Sequence, residues 1–354
     1  MAKAILKVEN LKKYFPIKRG LIAGLRGEPH RFVRAVDGIN FEVHKQEVFA
    51  LVGESGCGKT TTGKLVMKLL EPTDGKIYLE GQDVTELRTQ EEIKAYRRKV
   101  QMVFQDPFSS MNPRFRIYDV LEEPLLIHGI GETKAEREEL IYKALEMVKI
   151  VPPEDYVGRH PHMLSGGQRQ RVAIARALIL NPTFIVADEP VSMLDVSIRA
   201  EILELMKELK EKMGVTYLYI THDLSTARYF ADYIAVMYLG RIVEMGPAKV
   251  IIDNPIHPYT RALLAAVPEP IPERRNIIKE VPIKGEVPNA ANIPPGCRFH
   301  PRCLYMERGL CDMKHPISRV RTQPLGRMLV GRKDLIYSYP NLYNFCFENA
   351  LWVV

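Results

Sequence analysis

A glycine-spaced loop between an apolar run and a helical segment constrains the fold of this chain more than any other stretch. Residues 53–60 read Gly-Glu-Ser-Gly-Cys-Gly-Lys-Thr and fit the pattern G-x-x-x-x-G-K-[ST]. The apolar residues 48–52 predict a buried strand before the loop, and residues 61–70 predict a helix after it. A strand, a loop and a helix in this order are the context that a phosphate-binding loop requires. A glycine-rich turn that fits by chance lacks such flanks.

The residue types of this loop suit a nucleotide triphosphate and Mg²⁺. Glycine tolerates the backbone angles that turn successive N–H groups inward, and the helix N-terminus adds partial positive charge. Lys59 is expected to reach the β- and γ-phosphates, and the Thr60 hydroxyl is expected to ligate Mg²⁺. The nucleotide-binding residues predicted in the loop are Gly53, Ser55, Gly56, Cys57, Gly58, Lys59, Thr60 and Thr61.

The composition places the chain among globular proteins that do not span a membrane. It has 354 residues, of which 46% are hydrophobic and 26% charged, enough for two domains or one large domain with an appendage. The N-terminus lacks the apolar core of a signal peptide, and the longest apolar region, residues 172–187, is too short for a membrane span. Five cysteines in a chain of this size argue against a disulfide scaffold. The basic residues between positions 10 and 34 could face nucleotide, nucleic acid or anionic lipid, and a solvated loop is the favoured interpretation.

Polar residues follow two further predicted strands. Asp188 and Glu189 come directly after the apolar residues 183–187, at the strand end where parallel sheets hold their chemistry. Asp188 is expected to hold Mg²⁺ through water, and Glu189 to orient and deprotonate an attacking water. His222 follows the predicted strand at 215–220 and could contact the γ-phosphate or that water. Because strands alternate with helices, the predicted fold class is α/β with a mainly parallel core sheet.

Three other features are candidates for the same site. Gln105 opens a proline- and serine-rich loop and could reach the metal or the water near the phosphates. Either Phe15 or Tyr14, at the end of a segment whose residues 3–9 predict an edge strand, could stack on adenine or pack in a core. A Ser-Gly-Gly-Gln sequence opens a predicted helix and offers either a second anion site or a plain helix cap; its residues are Ser165, Gly166, Gly167 and Gln168.

The order of these parts resembles the ATP-binding cassette (ABC) ATPases over residues 1 to about 260. That order is phosphate loop, Gln105, Ser-Gly-Gly-Gln signature, Asp188–Glu189, a loop at Asp195, and His222. The resemblance implies an antiparallel β subdomain and a helical subdomain, with the helical insert at about residues 106–170. It also implies that Phe15 or Tyr14 stacks on adenine, and that the signature at residues 165–168 serves the phosphate loop of a second ATPase subunit.

Within that family, residues 105–113, 254–261 and 296–303 are similar to the ATP-binding subunits of oligopeptide/dipeptide importers, and residues 14–18, 220–225 and 267–270 to their F-type subunit. The resemblance implies a heterodimer with a second ABC ATPase at the cytoplasmic face of the cell membrane. Two transmembrane permeases and an extracytoplasmic substrate-binding protein are the other expected partners, and no nucleic acid is expected. The 105–113 loop and the helical insert would dock on the permeases. The same engine for oligosaccharide or nickel uptake, or a non-transport ABC ATPase, is the alternative.

The last part of the chain is rich first in proline and then in cysteine. The predicted division is an ATPase domain at 1–262, a proline-rich linker at 263–295 and a small cysteine-rich extension at 296–354. Four thiolates suit either a [4Fe–4S] cluster or zinc, and the resemblance favours iron–sulfur. His300 or His315 could replace the last cysteine, and buried thiols without a metal are the alternative. The candidate ligands are Cys297, Cys303, Cys311 and Cys346.

Overall fold

The computed structural model describes residues 4–17, 31–267, 281, 283–313 and 319–320, and its strands form two sheets. The smaller sheet is antiparallel, with the order β2-β1-β4-β5. The larger sheet has the order β11-β10-β9-β3-β8-β7-β6. In chain order the strands are β1 (Ala4–Pro16), β2 (Phe32–His44), β3 (Val48–Val52), β4 (Asp74–Leu79), β5 (Gln82–Asp83), β6 (Val100–Val103), β7 (Phe184–Asp188), β8 (Thr216–Thr221), β9 (Tyr233–Tyr238), β10 (Arg241–Pro247) and β11 (Arg319–Val320).

The larger sheet is the mainly parallel core sheet that the sequence predicts. Strands β6, β7, β8, β3 and β9 are parallel neighbours, whereas β10 runs antiparallel to β9. Strand β3, which feeds the phosphate loop, lies between β8 and β9 and is wholly buried. Strands that are covered on both faces read as continuous apolar runs, as β3 and the first four residues of β7 do, and every residue of β3, β7 and β8 is buried. The α/β prediction is confirmed.

Side-chain alternation along β3 divides the hydrophobic core in two. Val48, Ala50 and Val52 point into a cluster shared with the helical insert, whereas Phe49 and Leu51 point into a cluster shared with the antiparallel sheet. Each face of β3 therefore packs against one of the two clusters, and this packing fixes the position of the loop that follows the strand. Full burial of a valine, leucine or phenylalanine side chain in these clusters contributes roughly 1.5–3 kcal/mol to the stability of the fold.

The expected edge strand at residues 3–9 is wrong in one respect. The strand exists, but β1 is longer and lies inside its sheet, with β2 on one side and β4 on the other. Val8, for example, pairs with Phe41 of β2 and with Ile77 of β4. A local alternation of apolar and polar residues shows which face of a strand is buried, but not how many neighbours it pairs with.

The helices cover the core sheet and build the predicted helical subdomain from α3 to α6. None of the helices in the described ranges is long and apolar enough to cross a membrane. In chain order they are α1 (Lys59–Val66), α2 (Gln90–Lys99), α3 (Ile117–His128), α4 (Lys134–Met147), α5 (Glu154–Val157), α6 (Gly166–Leu178), α7 (Val196–Met213), α8 (Leu224–Phe230), α9 (Ala248–Asp253) and α10 (Pro258–Ala265).

Residues 283–313, called the C-terminal module below, pack against the ATPase core. The ring of Phe299 lies 5.4 Å from the ring centroids of both Tyr238 and Tyr259, in β9 and α10. Within the module, Ile283 forms an antiparallel bridge with Cys303. Helix α10 ends at Ala265, beyond the predicted boundary at residue 262, and residues 268–280 and 282 of the predicted linker lie outside the described residues.

Candidate functional site

The phosphate loop leaves β3 at Val52 and enters α1 at Lys59, as the sequence predicts. Gly58 has φ of 112°, a backbone conformation that residues with a side chain rarely adopt. A Cβ atom at this position would lie 2.1 Å from the carbonyl oxygen of Ala35 in β2. Glycine is therefore required here both by the backbone angle and by the close approach of a neighbouring strand.

Replacing Gly58 with alanine is expected to lower the free energy of unfolding by at least about 3 kcal/mol, because backbone strain and overpacking add. The matched control is Gly56→Ala. Gly56 also has a positive φ, 78°, but nothing lies within 4 Å of the position of its added Cβ. That variant should lose only about 1–2 kcal/mol. Urea denaturation of both variants measures the difference, and equal losses would contradict the clash with Ala35.

Lys59 and Thr60 both form hydrogen bonds that fix their side chains in the predicted phosphate and metal site. The buried Lys59 Nζ donates to the carbonyl oxygens of Gly53 at 2.7 Å and Glu54 at 3.0 Å, so the ammonium is held across the loop. The Thr60 Oγ1 donates to Asp188 Oδ1 at 3.1 Å. This contact joins the start of α1 to the end of β7.

The hydroxyl of Thr60 and the carboxylate of Asp188 fit Mg²⁺, which prefers hard oxygen ligands. Burial raises the pKa of Asp188, and the neighbouring Glu189 carboxylate raises it further, whereas the Thr60 hydrogen bond opposes the rise. A bound divalent cation would stabilise the charged form of this carboxylate. Gln105 is the third predicted magnesium ligand. Its amide nitrogen donates to the Glu189 carboxylate, and its amide oxygen is the atom that could bind the metal.

Glu189 lies at the centre of the predicted catalytic residues. Its Oε2 accepts from Gln105 Nε2 at 3.1 Å and lies 3.0 Å from His222 Nδ1. Its backbone φ is 47°, and its N–H donates to the carbonyl oxygen of Ile220 in β8. Strained backbone angles at a non-glycine residue are frequent at functional sites. The strain and the Ile220 contact aim the carboxylate out of the strand end.

These side chains and the phosphate loop share one cavity of about 580 Å³. The cavity is large enough for a nucleotide and opens at the carboxyl ends of the parallel strands. Its chemistry-bearing lining residues are Ser55, Gly56, Gly58, Lys59, Thr60, Thr61, Gln105, Glu189 and His222. The structure thus brings together residues from the ends of β3, β6, β7 and β8 that lie far apart in the chain.

The signature residues do not join this cavity. Ser165 caps α6: its Oγ accepts from the Gln168 N–H at 3.2 Å, and the Gln168 Oε1 accepts from the Ser165 N–H. The glycines that follow pack beside α7, because a Cβ on Gly167 would lie 2.8 Å from Ile198. Among the described residues that line the cavity, none belongs to 165–168 or to the exposed Asp195 loop. Both predicted segments lie outside this chain's own phosphate site.

Strand register separates the two aromatic candidates. Phe15 pairs with Val33 of β2, and Val33 and Ala35 line the phosphate cavity. Cross-strand partners project to the same face, so Phe15 shares the cavity face and Tyr14 projects to the other. The Tyr14 hydroxyl donates instead to Asp37. Cys57 also projects away from the phosphates, because its buried side chain packs in the core cluster behind the loop, and burial raises its pKa.

The predicted metal cluster has no support in the described part of the chain. Cys297, Cys303 and Cys311 are all buried in the C-terminal module, but no group of three His, Cys, Asp or Glu residues among the described positions could hold a metal ion. His300 Nδ1 lies 2.8 Å from the Cys297 carbonyl oxygen. Cys346 and His315 lie outside the described residues. The three described cysteines therefore fit neither a [4Fe–4S] cluster nor zinc by themselves.

Comparison with known proteins agrees with this geometry. Residues 36–192 match the family model described as ABC transporter, and residues 243–311 match the model described as oligopeptide/dipeptide transporter, C-terminal region. The oligopeptide transport ATP-binding protein AppF of Bacillus subtilis (strain 168) is 47% identical over 301 residues, which span 84% of this chain and 89% of that relative. This chain belongs to the ABC transporter ATP-binding proteins. The dipeptide transport ATP-binding protein DppF of Escherichia coli (strain K12) is 46% identical over 84% of this chain and 86% of its own length.

Comparison with solved structures shows that this chain has the ATP-binding cassette fold. The dimeric post-hydrolysis state of the ATP-binding cassette MJ0796 bound to ADP and phosphate matches with a TM-score of 0.59 and 31% identity. The match covers 69% of this chain and 98% of that cassette. The chain is therefore an ABC ATPase.

Proposed function

We propose that this chain is the ATP-binding and ATP-hydrolysing subunit that powers an importer of oligopeptides or dipeptides. The observation that carries the proposal is the match of residues 243–311 to the C-terminal region of oligopeptide/dipeptide transporters. The predicted catalytic residues Gln105, Glu189 and His222, which line the phosphate cavity together, support it. Relatives whose names give the same transport function extend over 84% of the chain.

Several residues of the cavity, together with Asp188 at the end of β7, have roles in this proposal. Lys59 and the N–H groups of the loop bind the β- and γ-phosphates, and Thr60 and Asp188 hold the Mg²⁺ that neutralises developing charge when it is bound. Glu189 takes the proton of the attacking water, while Gln105 and His222 hold its carboxylate and that water in place. Phe15 stacks on adenine, since it shares the face of the residues that line the cavity.

The site is half of a composite site. The signature at Ser165 caps a helix outside this chain's own cavity, and in this proposal that helix N-terminus faces the γ-phosphate held by another ATPase subunit. We propose that this subunit is a second, different ABC ATPase, and that the signature of that partner completes the cavity at Lys59. Such a pair would work at the cytoplasmic face of the membrane, against two permeases and with an extracytoplasmic substrate-binding protein.

The loop after β6 presents a docking surface for the permeases. Phe104, Phe108 and Phe115 are exposed, and Phe108 is 58% exposed with the guanidinium of Arg169 at 3.8 Å from its ring centroid. Exposed aromatic side chains held by a cation in this way are typical anchors of protein interfaces.

Affinity purification of the tagged chain from detergent-solubilised membranes tests the proposal. We expect two permeases, a second ABC ATPase and a peptide-binding protein to copurify, and we expect Phe108→Ala to reduce permease recovery by about tenfold while ATP affinity is unchanged. Recovery with a binding protein specific for oligosaccharides or nickel would replace the peptide assignment. Recovery without any permease would contradict the transport function.

A further inference from the structure

The C-terminal module contacts the phosphate loop directly through Arg302. Its guanidinium forms a bidentate pair with the Glu54 carboxylate: Nη1 donates to Oε2 at 2.7 Å and Nη2 donates to Oε1 at 3.2 Å. The arginine is buried, with 7% of its surface exposed, and its partner stands next to Gly53 in the loop. The two residues are 248 positions apart. Bidentate pairs of this kind combine charge neutralisation with a defined geometry.

Glu54 is also held from the opposite side. Its backbone N–H donates to the hydroxyl oxygen of Tyr259 at 2.8 Å, and its carbonyl oxygen accepts from Lys59 Nζ. The ring of Tyr259 packs on Phe299 of the C-terminal module. The module therefore supports both the main chain and the side chain of this loop residue.

A second arginine of the module pairs with a residue of the antiparallel sheet. Arg298 donates to Asp37 in β2 and to the carbonyl oxygen of Leu239. Asp37 also accepts from the hydroxyl of Tyr14, the neighbour of Phe15 in β1. Arg302 thus pairs with a carboxylate in the cavity lining, and Arg298 pairs with a carboxylate that is hydrogen-bonded to the neighbour of Phe15.

The charge of Glu54 creates a problem that Arg302 removes. Glu54 lines the same cavity as Lys59 and Thr60, and an unpaired carboxylate there would repel a triphosphate. The Arg302 side chain is 9% exposed and the Glu54 side chain 27%, so solvent would screen that repulsion only in part. An arginine that engages both carboxylate oxygens cancels the charge and holds the side chain back from the phosphates.

We propose that Arg302 is a positioning residue for nucleotide: by neutralising and fixing Glu54, it lets the C-terminal module set the ATP affinity of the phosphate loop. This inference rests on the proposed ATP-binding function. It assigns to the module an energetic role in nucleotide binding, in addition to its packing against the core.

The test is titration of the purified full-length chain with a fluorescent ATP analogue, mant-ATP, in the presence of Mg²⁺. Arg302→Met keeps the aliphatic stem and removes the charge, and it should weaken binding by about tenfold. Arg302→Lys should retain most of the affinity. The double variant Glu54→Gln with Arg302→Met should return to within about twofold of the wild type, because the repelling charge is gone. Arg308→Met, at an exposed arginine of the same module, is the matched control and should bind normally.

The outcomes separate the alternatives. If Arg302 only supports packing, Glu54→Gln will not rescue Arg302→Met, and the inference is overturned; wild-type affinity in Arg302→Met overturns it as well. If Arg302→Met does not fold, as judged by circular dichroism, the double variant and Glu54→Gln alone remain decisive, since a neutral amide in place of this carboxylate should let the loop bind mant-ATP at least as tightly as the wild type. Failure of the wild-type chain to bind mant-ATP would instead contradict the proposed function itself.

Discussion

Replacing Glu189 with glutamine is expected to lower the rate of ATP hydrolysis by about 1,000-fold, because the amide cannot accept a proton from the attacking water. Glutamine has the same length and can still accept from Gln105 Nε2, which lies 3.1 Å from the carboxylate oxygen in the structure. The backbone strain at this position is unchanged as well. Binding of ATP should therefore be retained while the chemical step is lost.

A site that binds but does not hydrolyse ATP should remain in its ATP-bound state. We expect Glu189→Gln, mixed with the second ABC ATPase, ATP and Mg²⁺, to elute as an ATP-bound heterodimer in size-exclusion chromatography, whereas the wild-type pair dissociates as hydrolysis proceeds. Phosphate release measures the rate. Glu211→Gln, at an exposed position of α7, is the control that should hydrolyse ATP normally. Turnover of Glu189→Gln within about tenfold of the wild type would remove this residue as the general base.

Local sequence patterns predict the parts of this site that sit at the ends of buried strands. The apolar runs of β3 and β7 are unambiguous because both faces of the core sheet are covered. Once those strands are known, the phosphate loop and the pair Asp188–Glu189 must lie at their carboxyl ends. The direct contact of Thr60 with Asp188 follows from this arrangement.

Such local patterns do not predict which strands pair or in which register they pair. The central place of β1 depends on β2 and β4, which contribute partners from distant parts of the chain. The same register separates Phe15 from Tyr14, which no single-strand pattern can do. A one-residue shift would exchange the faces of the two rings.

Long-range ion pairs are the other feature without a sequence signal. Arg302 and Glu54 are 248 positions apart, and Arg298 and Asp37 are 261 positions apart. The sequence contains many other charged residues and does not mark these four as partners. The packing of the C-terminal module on β9 and α10 brings them together. The cysteines of this module suggest a metal site, whereas Arg302 is the module residue that pairs with Glu54 in the lining of the phosphate cavity.

Replacing Lys59 with methionine is expected to weaken mant-ATP binding by about 100-fold, which corresponds to about 2.7 kcal/mol. The ammonium is buried and held in place by the carbonyl oxygens of Gly53 and Glu54, so it binds phosphate without first having to be ordered. Methionine fills the space of the aliphatic stem but provides neither charge nor donor.

The same change separates binding from stability. Loss of the ammonium leaves the Gly53 and Glu54 carbonyl oxygens without this donor, which should cost about 1–2 kcal/mol of unfolding free energy. Urea denaturation measures that smaller effect on the same preparation. Lys64→Met, at an exposed position on the same helix, should change neither quantity appreciably. Wild-type affinity in a folded Lys59→Met protein would show that the ammonium does not contact the phosphates. If Lys59→Met loses mant-ATP affinity and Lys64→Met does not, the phosphate loop needs a fixed positive charge as well as its glycine backbone.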